Sequence, residues 1–402
     1  MKQILISAFS CDPYKGSESA IGWNWAVGLV HKGYEVHCLT RMENRNNIQN
    51  FPDIENLHFY YIKLSFGLEK LYEFSTISMY LYYMIWQWKA YLKGKKLLSK
   101  IKFFRVQHVS WGSIQQGSFL YKLDVPFIFG PSGGGQVAPV ILKDYFLNGW
   151  LKEVMREKVS KILFRFNPAC KNMLRKAYAV LVSNTETEIS ARLAGASIIY
   201  HTFDMAVPEP FFPSGFVERK IKPNQLKLLW VGRILPRKGL LLVLDVMKEL
   251  EEFPQISLTI VGDGEMRAFA EKKSIDLGLQ KKVTFVGLVP YNLVREYYES
   301  HDLLFLTSLR DSGPGQLIEA LAFNLPVITL DLHGQGEIIT AETGVKVKID
   351  EPARIIKELA KAIIDLSNDP LRYASMCHAA YNFGHQQVWS KKIDDVVEKF
   401  YH

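Results

Sequence analysis

Asp311-Ser312-Gly313-Pro314-Gly315-Gln316-Leu317-Ile318-Glu319-Ala320-Leu321-Ala322 joins a glycine-rich turn to an apolar helix, with a carboxylate on each side of the junction. Pro314 suits the first helical position, where its missing N–H is no loss, and Gly315 allows close backbone approach. The free N–H groups at such a helix start attract an anion, typically phosphate. Asp311 and Glu319 would repel that anion, so they suit hydroxyl groups instead. The stretch reads either as a cradle for a sugar joined to a phosphate or as a surface turn capping an ordinary helix.

A second stretch favours the cradle. Leu228-Leu229-Trp230-Val231-Gly232-Arg233-Ile234-Leu235-Pro236-Arg237-Lys238-Gly239 reads as a buried strand running into an exposed loop with three cations. Arg233 and Lys238 flank a proline turn, so both heads can converge on one diphosphate, Arg as a planar fork and Lys as a point charge. A solvated basic loop is the plainer alternative.

With these motifs in place, the sequence resembles the retaining glycosyltransferases of glycosyltransferase family 4. The resemblance rests on the Gly232-Arg233 to Lys238-Gly239 loop and on Asp311 and Glu319 at the spacing of that family's Glu-x7-Glu motif. Val261-Gly262-Asp263-Gly264, Val283-Thr284-Phe285-Val286-Gly287 and Ala320 to Ile328 follow the same order, over roughly residues 226 to 350. It implies an α/β, GT-B fold with two Rossmann-like doubly wound domains facing a central cleft. It also implies that Arg233 and Lys238 hold a donor diphosphate, Asp311 the sugar hydroxyls and Glu319 the ribose. Gly313, Gly315 and Gln316 would complete the donor site, with no cofactor and no obligatory metal. Two residues depart from the family: Asp311 stands where a Glu is usual, and Pro314 where Gly is frequent. Both bear on the identity of the donor sugar.

The N-terminal half is compatible. Lys2 to Ser10 reads as a strand, a helix from about Ser17 to His31 ends at Gly33, and Tyr34 to Thr40 reads as the next strand. Ser17 is expected to cap that helix. The intervening loop lacks GxGxxG, so no dinucleotide fingerprint is present. Gly16-Ser17-Glu18 followed by Trp23 and Trp25 is similar to a bacterial subgroup of the family, whose loop faces the reacting centre and so places Gly16 at the donor. Gly130-Pro131-Ser132-Gly133-Gly134-Gly135 resembles the subgroup's interdomain loop and adds Gly134. His108 closes an expected strand near a family histidine that lies by the donor sugar, although a histidine there also reads as structural.

The chain has 402 residues, enough for two domains each with its own core. The expected limits are 1–205 for an acceptor-side N-terminal domain and 226–385 for a nucleotide-sugar domain. The Pro-rich stretch 206–225, ending near Pro223, links them, and a helix over 386–402 would cross back to the first domain. Four scattered cysteines argue against disulfides and structural zinc, and no signal peptide precedes the first strand, so a cytoplasmic location is expected. Residues 1–210 hold 25 Lys/Arg against 16 Asp/Glu, so the net charge of +8 sits in the N-terminal half, the rest of the chain holding 24 against 25. Much of that excess adjoins the aromatic run Tyr80 to Lys89 and continues through Lys93, Lys95, Lys96, Lys100, Lys102 and Arg105. This pattern reads as an anionic membrane surface site or as a core helix with a solvated basic end; Ser75, Gln87 and Lys89 make 74–92 too polar to span. The basic, apolar segment Trp150 to Phe166 favours the surface site. Nucleic acid is not expected, because no recognition module accompanies the charge.

The expected activity is sugar transfer with retention, from a UDP- or GDP-sugar to a glycan or lipid-linked acceptor, as in bacterial surface polysaccharide assembly. The alternatives are an inactive nucleotide-sugar-binding protein and, less favoured by the missing fingerprint, a nicotinamide-dependent oxidoreductase.

Overall fold

The computed structural model describes residues 1–65, 67–74, 76–222 and 224–402, so Ser75 and Pro223, named above, lie outside the described residues. The chain forms two compact units. One comprises Met1–Gly135, Lys158–Asp204 and Trp389–His402, and the other Gln136–Glu157 and Met205–Val388.

The first unit holds seven parallel strands: β1 (Gln3–Ala8), β2 (Glu35–Arg41), β3 (Leu57–Ile62), β4 (Phe103–Ser110), β5 (Phe127–Ser132), β6 (Ala179–Val182) and β7 (Ile199–His201). Their order is β3-β2-β1-β4-β5-β6-β7. The second unit holds β8 (Leu226–Val231), β9 (Ile256–Val261), β10 (Val283–Gly287), β11 (Leu303–Leu306), β12 (Val327–Asp331) and β13 (Gly344–Lys348). Their order is β10-β9-β8-β11-β12-β13. Both sheets therefore reverse direction once, between β1 and β4 and between β8 and β11. Open parallel sheets bind ligands at the carboxyl ends of the strands beside such a reversal. The strands read as continuous apolar runs because helices cover both faces.

The helix Glu18–His31 and strand β2 fall within a residue or two of expectation. Gly22 explains how that helix meets the loop after β1: a Cβ there would stand 2.1 Å from the carbonyl oxygen of Ser10. Ser17 departs from expectation, since its side chain makes no capping hydrogen bond and its φ is +56°. Its backbone carbonyl instead accepts the N–H groups of Ala20 and Ile21.

The aromatic run is corrected more substantially. Tyr82, Tyr83 and Trp86 of the helix Thr76–Leu98 are buried, and all three pack edge-on against Phe9. Arg105 is buried as well, donating to the carbonyls of Phe400 and His402. The run is a core helix whose basic end, Lys95 and Lys96, is solvated. No helix among the described residues is long and apolar enough to cross a membrane.

Two segments leave the sequence order of the units. The helix Trp389–Phe400 buries Trp389, Ile393, Val396 and Phe400 and belongs to the first unit, where Ile393 seats against Gly28. Residues 136–157 belong to the second unit, although they precede its first strand by about seventy positions. Leu142 and Phe146 are the most deeply buried large side chains of that segment, and Tyr145 and Glu153 are buried as well.

Candidate active site

The carboxyl ends of β8 and β11 lead into the Gly232–Gly239 loop and the Asp311–Ala322 turn and helix. The loop after β8 turns through Pro236–Lys238 and closes at Gly239, where φ is +70° and a Cβ would stand 2.0 Å from the carbonyl oxygen of Thr307. Only glycine fits there. The loop after β11 then pairs with it through backbone bonds, the Leu309 and Arg310 N–H groups donating to the carbonyl of Arg237.

Side chains complete the junction. Lys238 Nζ donates to Asp311 Oδ2 at 2.5 Å, and an Arg237 guanidinium N–H donates to the same oxygen at 3.1 Å. Lys238 is 6% exposed, so it is not the loop-surface residue expected from sequence; Arg233 is exposed. Burial alone would raise the Asp311 pKa, but the charges of Lys238 and Arg237 outweigh it and bring it down to about 2. Beside them, Arg310 and Arg156 share Glu153 at 2.6 Å each. Four cations thus stand around two carboxylates, with the charge of Arg233 also felt at Lys238, an excess suited to a multiply charged anion.

The turn that follows is clamped from behind. Gly334 packs so closely that a Cβ would meet the Ser312 carbonyl oxygen at 1.8 Å, and Gln335 donates to the Ser308 carbonyl at 2.7 Å. The helix runs Gly315–Ala322 with Pro314 as its N-cap residue, one position earlier than expected. Gly313, Gly315 and Gln316 are half-buried at its mouth, and the Gln316 Oε1 is buried without a hydrogen-bond partner.

Glu319, one helical turn on, is buried and takes a tyrosine hydroxyl on each oxygen: Tyr291 at 3.1 Å and Tyr298 at 2.7 Å. Burial raises its pKa, and the two hydroxyl bonds oppose that rise. Phe211 stacks on Tyr291 with ring centroids 4.9 Å apart. Sequence reasoning missed both tyrosines, although their i, i+7 spacing in the helix Tyr291–Ser300 was a usable signal.

The remaining expected residues lie in the first unit, at its own sheet reversal. Glu18 bridges the loops after β1 and β4 by accepting the Gly112 N–H at 3.0 Å. Burial lifts its pKa to about 7, against the Gly112 bond and Arg41, and nearby Asp204 adds to the rise. Gly16 lies near the end of the loop after β1, half-buried. Gly134 has φ +134°, and its carbonyl accepts the Thr187 hydroxyl at 2.9 Å. His108 lies beneath the surface inside β4, stacked on Phe129. Its ring nitrogens face Ser7, Tyr83 and the Trp111 carbonyl, and burial lowers its pKa to about 4. These contacts fit a neutral imidazole that positions the Trp111 loop. The structure thus brings Arg233, Lys238, Asp311, Gly313, Gly315, Gln316 and Glu319 together in one unit, and Gly16, Gly134 and His108 in the other.

Solved structures share this architecture over the whole chain. A sucrose-phosphate synthase from Thermosynechococcus elongatus has a TM-score of 0.72 at 18% identity, covering 100% of this chain and 98% of its own. Anabaena HepE in complex with UDP has a TM-score of 0.67 at 13% identity, with 100% of both chains covered. The fold is that of the GT-B glycosyltransferases. Residues 214–383 match the family model of the glycosyl transferases group 1. An uncharacterized glycosyltransferase of Methanocaldococcus jannaschii is 30% identical over 122 residues, 30% of this chain and 31% of that protein. The putative teichuronic acid biosynthesis glycosyltransferase TuaC of Bacillus subtilis is 25% identical over 176 residues, 44% of this chain and 37% of its own length. The matched stretch thus spans about a third of the length of these curated relatives.

The Asp311 pairing carries a pH signature. A carboxyl held near 2 when folded, against 3.8 otherwise, adds stability above about pH 4 that is lost as pH falls through about 2. The shift corresponds to roughly 2 kcal/mol. Denaturation of wild type and Asp311→Asn should show wild type ahead at about pH 5 and the gap closing towards pH 2. A constant gap would contradict the ion pair.

Proposed function

We propose that this protein is a retaining glycosyltransferase, moving a sugar from a UDP- or GDP-sugar to a glycan or lipid-linked acceptor in bacterial surface polysaccharide assembly. The observation that carries this reading is the cation cluster of Lys238 and Arg237 around Asp311, with Arg233 and the Gly315 helix mouth adjoining it. The UDP bound by HepE and the teichuronic acid role in the name of TuaC support the same reading.

In this account the second unit holds the donor. Lys238, Arg233 and the N–H groups at Gly315 take the charge that grows on the diphosphate as the anomeric bond breaks. Lysine has three N–H donors, so the bond to Asp311 leaves two for phosphate oxygens. Asp311 is a poor base and a poor nucleophile, since its carboxylate is tied to two cations with a pKa of about 2. It suits holding a sugar hydroxyl, while the departing diphosphate takes the acceptor proton. Glu319, oriented by Tyr291 and Tyr298, has lone pairs left for the ribose hydroxyls. The first unit would receive the acceptor.

The helix Trp150–Phe166 supports work at an anionic membrane surface. Leu151, Met155, Ile162 and Phe166 are 57–74% exposed and form one stripe at i, i+4, i+11 and i+15. Lys158, Lys161 and Arg165 are exposed along one side of that stripe. Such a helix lies in the headgroup region with its apolar face down.

Turnover tests the donor assignment, with release of nucleoside diphosphate and transfer both followed across a panel of nucleotide-sugars. Arg233→Ala should change stability by no more than ~0.5 kcal/mol, because the side chain is exposed. It should nonetheless lower kcat by about 10². Lys238→Ala should lose turnover and also stability, roughly 3 kcal/mol for a broken buried pair. Normal turnover in Arg233→Ala would remove that residue from the site, and a wild type that binds donors without releasing diphosphate would leave only binding.

Vesicle co-sedimentation tests the membrane surface. Wild type should bind anionic vesicles and detach as salt rises, since exposed charges are screened beyond about 8–10 Å. Met155→Glu with Ile162→Glu should abolish binding and spare activity on a soluble acceptor. Equal binding by wild type and variant would remove the helix from any membrane role.

A further inference from the structure

Three neighbouring strands of the first unit place a group of polar side chains on one face, at the amino end of the sheet. Glu35 and His37 lie two apart on β2 and so point the same way. His58 on β3 is in register with His37, and Gln3 on β1 is in register with Glu35. The ligand-type atoms of Glu35, His37 and His58 all lie within 4.8 Å of one another. Glu35 Oε1 stands 3.1 Å from His58 Nε2 and 3.6 Å from His37 Nε2. Tetrahedral ligands about 2.1 Å from a zinc ion are about 3.4 Å apart, so both distances already suit a shared cation.

Burial makes the arrangement more than a surface ion pair. His37 is 4% exposed, and its Nε2, directed at this group, has no hydrogen-bond partner. Leaving a buried nitrogen unsatisfied costs about 1–3 kcal/mol, unless something occupies the space it faces. The ring's other nitrogen, Nδ1, lies 3.0 Å from the Tyr60 hydroxyl, which can accept its proton and leave the Nε2 lone pair free. Gln3 donates to Glu35 Oε2 at 2.7 Å and turns Oε1 towards the two rings. Metal-binding side chains are commonly held by outer partners of this kind. Phe103 packs edge-on to His37 and closes the apolar side.

We propose that Glu35, His37 and His58 form a binding site for a divalent transition metal of the zinc class, with a solvent molecule completing the coordination. Two imidazoles and one carboxylate suit zinc better than calcium or magnesium, which take oxygen ligands. The cysteine spacing argued against a thiolate zinc site, and this one needs no thiolate. It lies at the amino ends of β2 and β3, whereas Gly16 and Glu18 follow the carboxyl end of β1. The metal therefore takes no part in sugar transfer. Its effect is to tie the edge strand β3 more firmly to β2, adding to the backbone ladder and to the Tyr60 and His58 side-chain bonds between the two strands.

Calorimetric titration of metal-free, full-length protein with zinc chloride tests the site directly. One saturable site is expected, with a rise in melting temperature on binding. His58→Asn should weaken binding at least about tenfold. His58 is 47% exposed, so that variant should keep the wild-type circular dichroism spectrum. Glu35→Gln should weaken binding to a similar degree. Cobalt in place of zinc should give the visible bands of a nitrogen–oxygen site, lost in His58→Asn. Three results would overturn the proposal: no saturable zinc binding, wild-type affinity in both variants, or the near-ultraviolet charge-transfer band of a cobalt–thiolate bond.

Discussion

The shared hydrogen bonds of Asp311 with Lys238 and Arg237 fix the geometry on which the candidate site depends. They join the loop after β8 to the loop after β11, the two strands between which the second sheet reverses. A lone carboxylate at that depth would be driven to protonate, and a lone lysine to lose its proton. Together they stay charged, and the surplus of arginine around them keeps the local field positive. One pairing thereby leaves a cationic floor for phosphate and a carboxylate that is a hydroxyl acceptor and not a base.

Steric constraints around this pair act in the same direction. Gly239 against Thr307, Gly262 against Gly232 and Gly334 against Ser312 each bring backbone to within about 2 Å of where a Cβ would stand. No side chain fits at these three points, so the loops that carry Arg233, Lys238 and Asp311 are pinned to the sheet and to each other. A rigid cradle can direct donors at developing charge without reorganising during reaction.

Much of this was legible in the sequence. The buried strand before Gly232, the proline turn to Lys238 and the turn-to-helix passage at Asp311 are local patterns, and each element lies where its residues indicate. Long-range contacts were not legible. Tyr291 and Tyr298 meet Glu319 across more than twenty residues, and Glu153 reaches Arg310 from a segment ahead of β6. The run Tyr80 to Lys89 misled because its composition suits a membrane surface equally well. Only the position of Phe9 decides that Tyr82, Tyr83 and Trp86 face inward. His108 shows the same limit: its residue type suits chemistry, but full burial beneath the Trp111 carbonyl suits support.

The central claim is that Asp311 meets the sugar while its cationic partners meet the diphosphate, and calorimetric titration of Asp311→Asn separates the two. The amide keeps the side chain's shape but turns one acceptor into a donor, which should cost about 1–3 kcal/mol with a nucleotide-sugar. The bare nucleoside diphosphate should bind the variant as it binds wild type, because its phosphates take the place of the lost carboxylate in keeping Lys238 charged. If the variant weakens the bare diphosphate as much as the nucleotide-sugar, Asp311 does not contact the sugar and the account fails.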